Sequence, residues 1–364
     1  MNNEFTPRLE KIESVLKNNL SNMPSAQWIT QSFGNLPETM HVNLIDSLIM
    51  PCRNLLLLGG KRWRPLFMLL CGELACEKFC SAVDSENRAK ILRRIYMLTP
   101  VIEFVHTASL IHDDIEDSAD MRRGQVASHI TYGLDTALNA GSWLYFQASA
   151  CIHNDTIFFG KHAIALKLAL HEALNMELRR LHLGQAADIA WHKNNDSVPG
   201  VTEYMAMTSL KTGTLASLAA RLGMLAGGAS EKDALKLAEI AAQIGVGFQI
   251  LDDVKNLTSG NVGKKRGDDI VEGKKSLPLL YHIEQNPDDF QFLMDCFKRA
   301  KSEGIDSVAV EDAINCMTTS NAIEKAKNKG IDLIESSCCA MQSYFSDAQA
   351  VSLIERLFQN LITA

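Results

Sequence analysis

Apolar residues recur along most of this chain three or four positions apart, the spacing of a helix face, and nowhere sustain the alternation of a half-buried strand. The pattern predicts a short amphipathic helix over 5–20. A loose connection follows over 21–40, where Pro24, Gly34 and Pro37 interrupt it. Helical spacing resumes from His41 to Leu58 and stops at Gly59-Gly60. GGKRWRP, 59–65, then precedes a very apolar helix from Leu66 to about Phe79, and a polar patch at 81–88 leads into a second long one. Further helices are predicted over 133–153, 161–183, 202–227 and 231–256, with HLGQAADIAWH (182–192) closing the second and a polar loop from Asn194 to Gly200. Strands are expected to be minor. No solenoid repeat, low-complexity segment or linker is visible. The expectation is an all-α protein: a single domain over 1–364, with an N-terminal helix and connection (1–40), a main helical body (41–285) and C-terminal helices (286–364).

The second long helix carries the stretch around which the rest is organised, VIEFVHTASLIHDDIEDSADMRRG, residues 101–124. Ile102, Val105, Ser109 and Ile111 lie among small or apolar neighbours, and Asp113, Asp114 and Asp117 then follow. Positions i and i+4 share a helix face, so Asp113 and Asp117 project together with Asp114 beside them. Acids at a helix C-terminus face one another and the negative end of the macrodipole. A divalent cation relieves that, and Mg²⁺ prefers one or two carboxylates plus phosphate oxygens. Arg122 and Arg123 come five residues later, and the planar guanidinium matches phosphate. A solvated acidic helix end before a basic loop would have the same local sequence.

A second cluster favours the chemical reading. GVGFQILDDVKN, 245–256, is again an apolar helical run ending in adjacent acids, Asp252 and Asp253, with Asn256 where a third Asp would stand. Two acid-tipped helices of one form are expected to make two walls of a polyphosphate cavity with metal between them. Basic residues complete the set. GGKRWRP places Lys61 and Arg64 beside a glycine turn at a helix start, where backbone N–H groups also favour anions. Lys211-Thr212 follows a helical stretch, and GKKRGDDIVEGKKSLP offers Lys264, Lys265, Arg266, Lys274 and Lys275. His106, two helical turns before Asp113, lies on its face and is placed to donate to a phosphate.

Composition narrows the class. Apolar residues are 46% and charged residues 22% of the 364, ordinary for a globular protein. The net charge of −7 argues against a nucleic-acid partner. The nine cysteines have no CxxC pair or other tight ligand spacing, and Cys71, Cys76 and Cys80 sit on an apolar helical run as buried reduced thiols. A reducing, cytoplasmic compartment is expected. The N-terminus lacks the apolar core of a signal peptide, and no run approaches the roughly 20 apolar residues of a membrane span.

At this point the motifs resemble a family. GGKRWRP, ExxHxxxLIHDDIED, MRRG, LHLGQAADIAW, KTG, FQILDDVKN and GKKRGDDIVEGKKSLP, in this order from Leu57 to Leu280, are similar to the trans-prenyltransferases that make farnesyl, geranylgeranyl and longer diphosphates. The resemblance implies an all-helical isoprenoid-synthase fold around a central apolar cavity, a homodimer, and three Mg²⁺ ions. It implies isopentenyl diphosphate and an allylic diphosphate as substrates. By position, Asp113, Asp114, Asp117, Asp252 and Asp253 would hold metal. Arg122, Lys211, Lys264 and Lys274 would hold the allylic diphosphate, and Lys61, Arg64, His106 and Arg123 the isopentenyl diphosphate. Thr212, Gln249 and Gln185 would face the reacting carbons. Asn256 departs from the second Asp motif, and Ser142 stands where many relatives have Asp after AG.

Ala108 and Ser109, one turn before Asp113, are small where farnesyl-forming relatives resemble one another in a bulky plug, and Val105 is moderate. A product of twenty carbons or longer is expected unless Trp143 or Phe146 closes the path. The alternatives are a farnesyl diphosphate synthase or a catalytically silent regulatory subunit. A class I terpene cyclase would share the acidic helix end but have no use for GGKRWRP.

Overall fold

The structure, a computed structural model, describes residues 4–40, 42–80, 84–194, 196–260, 265–346 and 348–363. Helices account for nearly all regular structure, as the periodicity predicts. In order they are α1 (Thr6–Asn19), α2 (Ala26–Phe33), α3 (Asp46–Leu57), α4 (Trp63–Phe79), α5 (Ser85–Glu116), α6 (Ser128–Tyr132), α7 (Leu134–Ala150), α8 (Ala163–Lys193) and α9 (Val201–Thr208). They continue with α10 (Thr214–Gly227), α11 (Glu231–Thr258), α12 (Asp268–Glu272), α13 (Leu277–Gln285), α14 (Phe290–Glu303), α15 (Val308–Thr319), α16 (Ala322–Tyr344) and α17 (Gln349–Ile362). Among the described residues the strands are one two-residue hairpin, β1 (Met121–Arg122) and β2 (Gln125–Val126).

Three boundaries differ from expectation, each for a physical reason. The connection predicted over 21–40 contains α2. Ser25 caps it by accepting from the Trp28 N–H at 3.1 Å, and Trp28 and Phe33 pack with Trp143 of α7. Eight residues are too few for a periodic signal, so a tertiary contact decides this helix. α4 begins at Trp63 rather than Leu66, because proline is tolerated in a first turn, whose N–H groups lack helical partners. The helix predicted over 202–227 is broken at Ser209–Gly213 by a π-helical turn.

Contacts divide the chain into two compact units. The first comprises 1–176, 218–238 and 341–364. Its core includes Leu66, Phe67 and Leu70 of α4, Ile102, Phe104 and Val105 of α5, Leu144 of α7 and Phe358 of α17. Phe358 meets Trp63 and Phe67 edge-on at 6.0 and 5.1 Å. The second comprises 177–217 and 239–340, with a core of Tyr204, Val246, Ile250, Leu277, Leu280, Phe297 and Ile314. Among the described residues α11 alone has the length and hydropathy of a membrane span. Its best window averages only 1.3 and is 56% buried, and a core helix has this character too.

Candidate active site

In the first unit, α5 delivers its acids as the spacing requires. Asp84 caps the helix through the Asn87 N–H at 2.8 Å, and the helix runs past Pro100 to Glu116. Asp114 is buried, while Asp113 and Asp117 are half-buried. Burial raises the Asp114 pKa, and Arg122 opposes that shift through contacts of 2.5–2.6 Å to Oδ1. Its other oxygen, Oδ2, is buried without a hydrogen-bond partner among the described residues. A carboxylate so placed fits a cation.

Arg122 and Arg123 diverge because a hairpin turn lies between β1 and β2. Arg123 and Gly124 both have positive φ (52° and 76°), the pairing of a two-residue type I′ turn. Arg122 returns to Asp114. Arg123 crosses to the 59–60 loop, donating to the carbonyls of Gly59 and, at 3.3 Å, Leu55. Its guanidinium lies in van der Waals contact range of Gly60, where a Cβ would sit 3.4 Å from Cζ. On the same loop Lys61 is exposed. Arg64, stacked over the Trp63 ring at 4.5 Å, places Nη1 3.4 Å from His106 Nε2. Burial, reinforced by Arg64, Arg123, Arg122 and Arg62, holds His106 well below the usual histidine pKa. His106 is therefore a neutral acceptor for Arg64 rather than a cation. The structure thus groups Arg64 with His106, and Arg123 with the loop that carries Lys61.

The second unit holds the rest of the described set. The π-helical turn 209–213 carries Lys211 and Thr212, a form of turn that recurs at functional sites. Lys211 Nζ lies 2.6 Å from Asp188 Oδ2, and His192 Nε2 lies 2.9 Å from Oδ1. Burial works against the charge on Asp188, but Lys211 and His192 prevail and hold its carboxyl well below the usual range. Thr212 donates to Gln249 at 2.8 Å, and Gln249 donates to Asp253 Oδ1 at 2.8 Å. Tyr204 donates to Asp253 Oδ2 at 2.7 Å. Burial, then the charge of Asp269, still pushes Asp253 up to about 7 against these bonds. Oriented donors around an acid with no ion-pair partner among the described residues again suit a cation. Asp252 beside it is exposed, and Gln185 of α8 is half-buried.

Close packing makes this arrangement possible. A Cβ on Gly184 would meet Lys211 N at 2.3 Å, so the glycine of LHLGQ lets α8 lie against the π-helical turn. Lys274 reaches Glu272 at 2.7 Å and Asp269 at 3.5 Å. Lys264 lies outside the described residues. Asn256 is fully buried, and its Oδ1 accepts from the Asp269 N–H at 3.2 Å, which ties α11 to the start of α12. Ser142 lies 3.4 Å from His112 Nε2. Phe146 is 76% exposed and Trp143 stacks on Phe33, so Phe146 does not close a path beside α5.

Three residues that hold this machinery escape sequence reasoning. Arg62 is buried with a left-handed backbone (φ 47°), bonded to Glu13 at 2.6 Å and to Glu103, and so anchors the loop between Lys61 and Arg64. Asp188 and Tyr204 orient Lys211 and Asp253. Arg62 looks like one more loop cation, and only its carboxylate partners, buried Glu103 and half-buried Glu13, distinguish it. For Asp188 a signal existed, since Asp at i and His at i+4 share a helix face.

The polyprenyl synthetase family model matches residues 46–317. The chain is 38% identical over 202 residues to a geranylgeranyl pyrophosphate synthase of Penicillium canescens, covering 55% of this chain and 56% of that protein. It is 30% identical over 305 residues to a geranylgeranyl diphosphate synthase of Methanosarcina mazei, covering 82% of this chain and 85% of that one. Its fold superposes on the geranylgeranyl pyrophosphate synthase of Corynebacterium glutamicum complexed with isoprenyl diphosphate and magnesium. That match has a TM-score of 0.78 at 21% identity over 100% of this chain and 99% of that one. The chain belongs to the polyprenyl synthetase family, a family of prenyltransferases.

Proposed function

We propose that this prenyltransferase condenses isopentenyl diphosphate head-to-tail with an allylic diphosphate, giving an all-trans prenyl diphosphate of twenty carbons or longer. The observation that carries the reading is the set of oriented acids, Asp114 and Asp253, each buried with incomplete compensation of its charge. Asp113, Asp114, Asp117, Asp252 and Asp253 would hold magnesium, which when bound stabilises charge on the departing pyrophosphate. Arg122 and Lys211, with Lys274 and Lys264, would hold the allylic diphosphate. Lys61, Arg64, His106 and Arg123 would grip isopentenyl diphosphate and aim its double bond at the allylic carbon. Arg64 supplies charged donors, and neutral His106 holds the Arg64 fork in place. Thr212, Gln249 and Gln185 are assigned to the polar face near the reacting carbons. Apolar residues of α5 exclude water from the growing chain.

The magnesium-complexed relative and the long-product names of the matched synthases support this reading. A homodimer is part of it, supported by exposed Leu134, Leu138 and Phe146 on one face of α7 and exposed Ile164 and Leu168 on α8. All nine cysteines are free, in keeping with a reducing, cytoplasmic setting. The test is incubation of the pure protein with Mg²⁺, isopentenyl diphosphate and dimethylallyl, geranyl or farnesyl diphosphate, followed by product chromatography. A product of twenty carbons or longer is expected. A fifteen-carbon end product overturns the length assignment, and no Mg²⁺-dependent product overturns the function.

A further inference from the structure

We infer that His282, Asp289 and Cys316 form a binding site for a transition-metal ion of the zinc type, separate from the acidic motifs. His282 lies on α13, Asp289 in the short turn after it, and Cys316 near the end of α15. Their donor atoms converge. His282 Nε2 lies 3.0 Å from Asp289 Oδ2 and 3.3 Å from Cys316 Sγ, and Sγ lies 3.8 Å from Oδ2. Tetrahedral zinc binds nitrogen and oxygen at about 2.0–2.2 Å and sulfur at about 2.3 Å, which sets ligand-to-ligand edges of roughly 3.3–3.6 Å. Each observed separation is within about 0.3 Å of its edge, a shift that small side-chain adjustments cover.

The surroundings prepare the histidine for this role. His282 Nδ1 lies 2.7 Å from Ser320 Oγ, which also lies 3.1 Å from the Met317 carbonyl. In the metal-free chain a proton on Nε2 bridges it to Asp289 Oδ2; with an ion in its place that proton sits on Nδ1, Ser320 accepts it, and Nε2 faces the ion, as the outer partners of metal-binding histidines arrange. His282 is buried, whereas the Asp289 side chain is 45% exposed, which gives an ion a way in and leaves water a fourth position. A nitrogen, sulfur and carboxylate set selects zinc-like ions over magnesium. Binding exchanges the thiol proton for the metal: Cys–SH and M²⁺ give Cys–S–M⁺ and H⁺, the proton leaving to solvent. The bound ion would staple α13 to α15.

This inference is independent of the prenyl-transfer reading, and so is its test. The full chain is stripped with chelator, loaded with Zn²⁺ or Co²⁺, gel-filtered and assayed for metal. One zinc per chain is expected, with a thiolate-to-cobalt charge-transfer band in the cobalt form. Cys316→Ser and Asp289→Asn, at incompletely buried positions, should each lose the stoichiometric metal, and Cys316→Ser the band, while keeping wild-type circular dichroism. Zinc should raise the melting temperature of wild type but not of Cys316→Ser. Wild type without tight zinc, or both variants retaining as much as wild type, overturns the site. A misfolded variant shifts the decision to the wild-type band and stoichiometry, either of which overturns the site if absent.

Discussion

Arg122 and Arg123 are neighbours of one residue type, yet the turn sends the first to Asp114 and the second to the Gly59 carbonyl. Residue type gives the charge, and backbone geometry decides what it serves. Two predictions belong at this scale. Asp113→Ala should lower turnover at saturating Mg²⁺ by at least about 10²-fold, the usual loss for one group aimed at developing charge. The fold should persist, because the deleted carboxylate adds to the charge that disfavours ionised Asp114. Near-normal turnover in that variant would remove the metal role. Arg64→Ala should raise KM for isopentenyl diphosphate roughly 10-fold or more, the equivalent of about 1.5–3 kcal/mol for a charge-assisted contact. Steady-state titration of each substrate decides it: equal effects on the allylic substrate contradict the assignment.

Elements carry the next level. The motif KTG owes its shape to the π-helical turn, and that turn owes its position to the missing side chain of Gly184. Gly184→Ala would push a methyl into the Lys211 backbone, and overpacking of this kind costs about 1–3 kcal/mol. Thermal melts should show a loss of several degrees, and kinetics a weakened allylic diphosphate affinity as Lys211 moves off Asp188. An unchanged melting temperature would mean that α8 yields without cost. On α5, one turn rises about 5.4 Å, close to one isoprene unit, so on the proposed reading successive turns would act as floors for the product. Ala108 and Val105 are enclosed, whereas Ser109 is half-buried and bonded to the His106 carbonyl at 2.8 Å. Ser109→Phe should therefore shorten the product, and Ala108→Phe should chiefly cost stability, about 1–3 kcal/mol. Product chromatography and melts of both variants check this. Wild-type product length in Ser109→Phe counts against the floor.

For the whole molecule, the exposed apolar positions of α7 lie at i, i+4 and i+12, one continuous face. Such a face is expected to pair with its own copy about a two-fold axis. Sedimentation velocity should find a dimer in wild type and a monomer in the double variant Leu138→Glu, Phe146→Glu. A monomeric wild type refutes the pairing.

The helices, the acidic ends of α5 and α11 and the basic motifs were legible in the sequence, because helical periodicity and i, i+4 spacing are local properties that the covalent chain imposes. Helix α2, the π-helical turn, the parting of Arg122 from Arg123, buried Arg62, the tie of Asn256 and the contact of Asp188 with Lys211 were decided only by tertiary structure. Each depends on which distant group supplies a carboxylate, a carbonyl or an aromatic face, and on how closely a glycine lets two backbones approach. The order of residues along one helix carries no record of either.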